Sequence, residues 1–98
     1  MIWLPIIHYK IFGQSMSITL QNGQHILVNR CAFFFKQPQV GDIVAAKDPR
    51  DGKILIKRIA KKEKQKYFLM GDNPAHSTDS RTFGMIDRKN ILGKVIFF

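Results

Sequence analysis

The apolar residues of this chain arrive in short runs rich in Ile, Val, Phe and Tyr, set apart by the turn-forming clusters QNGQ, QPQVGD, DPRDGK and GDNPAHSTD. That rhythm predicts strands over residues 7–12, 25–29, 42–47, 54–60, 66–70 and 94–98. The PRDG turn reads as a hairpin that lays the 54–60 strand beside the 42–47 strand. One short helical stretch is expected, at residues 15–20 or at 88–92, where Asp87 could cap the first turn. Phe33, Phe34 and Phe35 form an apolar block, and at least one of these rings is expected in the core. The expected fold is mainly β, a set of short antiparallel strands in a coiled or partly closed sheet.

Ninety-eight residues support one hydrophobic core and not two, so residues 1–98 are expected to form a single compact domain. No internal repeat, low-complexity tract or linker interrupts them. Sixteen Lys and Arg against seven acids leave a net charge of +9, a balance that favours nucleic acid or an anionic membrane surface. Lys61, Lys62, Lys64 and Lys66 fall in one run, which reads first as a solvated hairpin. The lone Cys31 excludes an internal disulfide and is expected to be a small, buried or half-buried side chain. The apolar start MIWLPIIHYKIF is interrupted by Pro5, His8 and Lys10. It lacks both the roughly 20 apolar residues of a spanning helix and the basic leader of a secretory signal. Trp3, Leu4, Ile6 and Ile7 are expected either on an edge strand packed on the core or against a membrane surface.

Three separated segments carry the candidate chemistry: GQSMSITL at residues 13–20, ILIKRIA at 54–60 and GDNPAHSTDSRTFG at 71–84. A serine hydroxyl is a weak nucleophile until a neighbouring base takes its proton. A lysine serves as that base only where its surroundings keep the amine neutral. On a strand Lys57 shares its face with Leu55 and Ile59, while Arg58 turns to the other side. Hydrocarbon around the amine penalises the ammonium form and can lower a lysine pKa by as much as about 3 to 5 units. Taken alone, Ser15 reads as a turn serine and Lys57 as a strand lysine that snorkels to water. His8, His25, His76 and Cys31 show no close metal-ligand spacing and fall on different elements. Neither a bound metal nor a serine–histidine mechanism is therefore expected.

The motifs SMSITL, GDIVAAKDP, IKRIA and GDNPAHSTDSRTFG, in that order, resemble the type I signal peptidase family of serine-lysine endopeptidases. Four motifs in one order are far more specific than any one of them. The brevity of the chain and the wording of the last motif further resemble the small branch that matures nickel-type superoxide dismutase. The resemblance implies a Ser15 nucleophile, a Lys57 general base, no cofactor, and removal of a leader from a precursor protein after a small residue. It also implies the Ser15 backbone N–H as oxyanion donor, Ser77 as the serine that hydrogen-bonds the lysine amine, and Asp79 with Arg81 as an ion pair behind the site. Gly71, Asp72 and Asn73 support the last loop, with Asp72 and Asn73 expected to hold it by side-chain to backbone bonds. Some relatives place a hydroxyl donor where this chain has Gly13. Ile18 replaces the family's proline, which should loosen the turn beside the nucleophile without removing a catalytic group. Larger members carry an extra β domain where this chain has only KKEKQKYFLM, so a minimal core with a shortened substrate platform is expected, cytoplasmic or peripheral to a membrane.

Two other readings stand beside this one. A self-cleaving repressor-type peptidase shares the fold, but these residues include no DNA-binding helical domain and no obvious cleavage linker. A basic β module binding RNA or a membrane face, with a decayed site, matches the charge. No patterned aromatic platform such as an RNP motif accompanies that charge, so nucleic acid is not expected as a partner.

Overall fold

The structure, a computed structural model, describes residues 6–17, 19–34 and 36–97. Trp3, Leu4, Ile18, Phe35 and Phe98 therefore lie outside the described residues. Within them the turn signals separate seven strands: β1 Ile6–Lys10, β2 His25–Asn29, β3 Ile43–Lys47, β4 Ile54–Glu63, β5 Lys66–Met70, β6 Ile86–Asp87 and β7 Ile91–Phe97. They form one antiparallel sheet in the order β1, β2, β7, β3, β4, β5, β6.

β3 takes a central place because both of its faces are apolar. Ile43 and Ala45 pack on one side with Met16, Leu20, Ile26 and Ile56, whereas Val44 and Ala46 pack on the other with Ile59, Tyr67, Leu69 and Ile91. A sheet with a core on each face must curl to close over both. Register shifts in the pairings of β2 with β7, β3 with β7 and β4 with β5 supply that curl, since a bulge adds twist and bends its strand. Phe33 is buried in the second core and Phe34 is exposed.

β4 runs past its expected end at residue 60 and pairs with β5 through Glu63, so the lysine run is an exposed hairpin. β7 begins three residues earlier than the pattern suggested, and the two-residue β6 left no signal long enough to read. The helical expectation is corrected. Residues 15–17 form a turn, and the α-helix, α1, lies at Ser80–Phe83, where Asp79 accepts from the Arg81 N–H as its cap. A 3-10 turn does form at Arg88–Asn90, but the Asp87 side chain does not cap it. That carboxylate is drawn instead to the Lys66 amine at 2.8 Å.

Gly93 on β7 passes so close to β2 that a Cβ there would sit 2.6 Å from the Asn29 carbonyl oxygen and 2.9 Å from a Val28 methyl. Replacing Gly93 with Ala should therefore cost about 1–3 kcal/mol of stability through forced separation of β2 from β7. Urea unfolding of the two proteins measures this, and an unchanged midpoint would show that the strands give way freely.

Candidate active site

Lys57 sits on the stretch of β4 where the sheet is deepest. Its cross-strand partner is Val44, fully buried, and Ile59 beside it on the same face is also fully buried. The whole residue is only 4% exposed. Burial lowers the pKa of the amine from its ordinary value, partly opposed by the negative charge of Asp79 and reinforced by the positive charge of Arg81.

The amine has a definite anchor. Lys57 Nζ donates to Ser77 Oγ at 3.2 Å, and Ser77 Oγ donates its own proton to Asp79 Oδ2 at 2.7 Å. Asp79 is fully buried, and it also accepts from the Gly71 N–H and from the Arg81 N–H and guanidinium. Burial by itself pushes the Asp79 carboxyl up, but the donors, Arg81 first, outweigh it and hold the group well below the ordinary carboxylate range. A fixed carboxylate dictates the direction of the chain of bonds. Since the Ser77 proton points to Asp79, the Ser77 oxygen can only accept from Lys57, and a neutral amine then keeps its lone pair free to point elsewhere.

The loop bearing Ser15 is tied to the loop bearing Ser77 at several points. Asn73 N–H donates to the Ser15 carbonyl at 2.7 Å, and Asn73 Nδ2 donates to the Gln14 carbonyl and to Ser17 Oγ. Gly71 is wedged between them: a Cβ there would overlap Ser77 Oγ and lie 2.5 Å from the Ser15 carbonyl oxygen. Gly13 adopts φ +89°, in the left-handed region that favours glycine.

Asp72 departs from its expected role. Its carboxylate faces side chains and not backbone, accepting from Nε and Nη2 of the Arg58 guanidinium at 2.9 and 2.8 Å and from the Thr19 hydroxyl at 2.5 Å. Arg58 also donates to the Gly41 carbonyl. Arg58, Thr19 and Met16, whose sulfur accepts from the Asp72 N–H at 3.2 Å, are supports that sequence reading left out. The adjacency of Lys57 and Arg58 on a strand was the available signal, since alternation sends the second cation to the opposite side of β4 from the first.

Ser15 and Lys57 line one small cavity of about 100 Å³, together with Tyr9, Ile11, Met16 and Leu55. β5 pairs with β4 only from Arg58 onward, which leaves residues 54–57 paired, among the described strands, with β3 alone. A second, apolar cavity of about 430 Å³ shares Tyr9 and Ile54 with the first. The structure thus brings all eight expected site residues together from two facing loops, one strand and α1. His76 ends a 3-10 turn at Pro74–His76 and is exposed.

Known proteins resemble this chain along most of its length. A family model described as signal peptidase, peptidase S26, matches residues 1–61 and 60–98. The two matches meet in β4, beside the shortened β4–β5 hairpin. Signal peptidase I V of Bacillus subtilis is 31% identical over 140 aligned residues, covering 91% of this chain and 83% of that one. Mitochondrial inner membrane protease subunit 1 of Homo sapiens is 34% identical over 106 residues, covering 87% of this chain and 64% of its own. Thylakoidal processing peptidase 1 of Arabidopsis thaliana is 25% identical, with 90% of this chain and 40% of its own aligned. The chain therefore spans less than two thirds of the length of the last two relatives.

The acid limb of stability reports on the buried carboxylate. Asp79 is held below its unfolded pKa of about 3.9, so its stabilisation is complete above that value and drains away as pH falls toward the folded one. Asp72, lowered chiefly by Arg58, and Asp48, lowered chiefly by Arg50, add to the same loss. Asp79→Asn should be destabilised by about 2–3 kcal/mol at neutral pH. It should also lose less than the unsubstituted protein between about pH 4 and pH 2. Denaturant unfolding across that range checks both, and parallel curves for the two proteins would contradict the assignment.

Proposed function

The chain belongs to the signal peptidase family, peptidase S26, and on that premise we propose that it is a serine endopeptidase that removes an N-terminal leader from a precursor protein, with Ser15 as nucleophile and Lys57 as general base. The observation that carries this reading is the orientation of the amine. Ser15 and Lys57 share a cavity, and the Ser77–Asp79 pair takes up an N–H of Lys57 and leaves its lone pair available for the Ser15 hydroxyl.

The reaction follows from those groups. Neutral Lys57 takes the Ser15 proton as Ser15 Oγ adds to the scissile carbonyl, and the backbone N–H of Ser15 stabilises the oxyanion. The Lys57 ammonium then gives that proton to the departing amine, and the serine ester remains. Water, deprotonated by the same amine, releases the leader and restores both side chains. The cavity beside Ser15 is small, about 100 Å³, which supports a small residue before the cleaved bond. The free backbone edge of residues 54–57 supports binding of the leader as an extended strand.

Residues 1–98 act in this reading as one catalytic domain, and the net charge of +9 supports peripheral contact with an anionic membrane surface. Among the described residues no helix is long and apolar enough to cross a membrane. The wording of residues 71–84 and the short β4–β5 hairpin support a nickel superoxide dismutase precursor as the substrate. Incubating the chain with that precursor and with a general secretory precursor separates the two substrate assignments.

Ser15→Ala should abolish leader removal, by about 10³-fold or more, with the fold retained. Lys57→Met and Lys57→Arg should be equally inactive, because one lacks the amine and the other stays protonated. Turnover by the Ser15→Ala or Lys57→Arg proteins at the original rate would rule the dyad out. The rate should rise with pH as Lys57 loses its proton, and burial places the midpoint below the ordinary lysine value of about 10.4.

A further inference from the structure

β1 and β2 bring His8 and His25 together on the outer face of the sheet. Register sets His8 opposite Leu27 and Lys10 opposite His25, so the two histidines are diagonal neighbours with side chains on the same side. His8 Nε2 and His25 Nδ1 lie 2.8 Å apart and share a hydrogen bond, with ring centroids 4.6 Å apart and planes only 3° from parallel. The two histidines do fall on different elements, as expected, but strand pairing brings them together. The pair has no part in the proposed peptidase chemistry, whose groups lie on the Ser15 loop, β4 and residues 71–81.

We propose that His8 and His25 form a two-histidine binding site for a late first-row divalent metal ion. Histidine nitrogens bind such metals at about 2.0–2.1 Å. Two of them at a right angle around one ion lie about 2.9 Å apart, whereas a tetrahedral angle spreads them to about 3.4 Å. The 2.8 Å separation is the length of the N–H···N bond the pair now shares, so the two nitrogens already lie close to the span that one ion requires.

Two neutral imidazoles can serve if the shared proton moves to an outward ring nitrogen, and both residues are exposed, which allows the rings to turn their lone pairs to a common point. Water completes the coordination, since no third His, Cys, Asp or Glu joins the pair among the described residues. The charged group on the same face is Lys10, whose amine leans over the Phe12 ring at 6.0 Å. A metal here would clasp the edge strand β1 to β2 and so fix Tyr9, which points to the other face and lines both cavities.

The test is calorimetric titration of the tag-free full chain with NiCl₂ and with ZnCl₂, alongside thermal unfolding at increasing metal. Saturable one-to-one binding of at least one of the two ions is expected, with a melting temperature that climbs with its concentration. His8→Asn and His25→Asn should each weaken binding at least tenfold, while His76→Asn should leave it unchanged. These positions are exposed, and circular dichroism confirms that each variant keeps its fold. No saturable heat, or undiminished binding in the His8→Asn/His25→Asn double variant, would overturn the site.

Discussion

A charged amine at 4% exposure is costly, and Lys57 is held there by a carboxylate it does not touch. Ser77 stands between them as a relay of direction. A direct Lys–Asp ion pair would secure the ammonium and raise its pKa, which would disable a base. With a hydroxyl interposed, the charge of Asp79 is offset by Arg81 and by backbone N–H groups, and the amine feels burial more than attraction. The depth of Lys57 and the full set of donors on Asp79 are thus two aspects of one constraint.

The segment 71–81 serves that constraint at both ends. Asp72 and Asp79 each capture an arginine, but from opposite directions: Arg81 folds back from α1, and Arg58 reaches across from β4. Between them Gly71 has no side chain because Ser77 and the Ser15 carbonyl occupy that space. The loop bearing Ser15 therefore cannot drift from the loop bearing Ser77 without breaking the Asn73 bonds to residues 14, 15 and 17 as well. A short, curled sheet suffices as platform because the positioning is done by these polar ties.

Much of this was legible beforehand. The strand pattern, the PRDG hairpin and the burial of Lys57 between Leu55 and Ile59 follow from alternation and turn chemistry, which are local. What stayed hidden is set by long-range contact. Asp72 looked like a loop residue because its partners, Arg58 and Thr19, are 14 and 53 positions away in sequence. α1 has four residues, too few to show a period, and Asp87 lost its capping role to Lys66 across the sheet. The histidine pair was missed for the same reason, as strand register and not spacing joins residues 8 and 25.

The account turns on the protonation of one side chain, so the most direct measurement is a heteronuclear NMR titration of the Lys57 amine in the intact protein. Its midpoint should lie below the ordinary lysine value of about 10.4, and should fall further in the Asp79→Asn protein, where a charge favouring the ammonium is removed. A midpoint for Lys57 at the ordinary lysine value, or unmoved by Asp79→Asn, would contradict it.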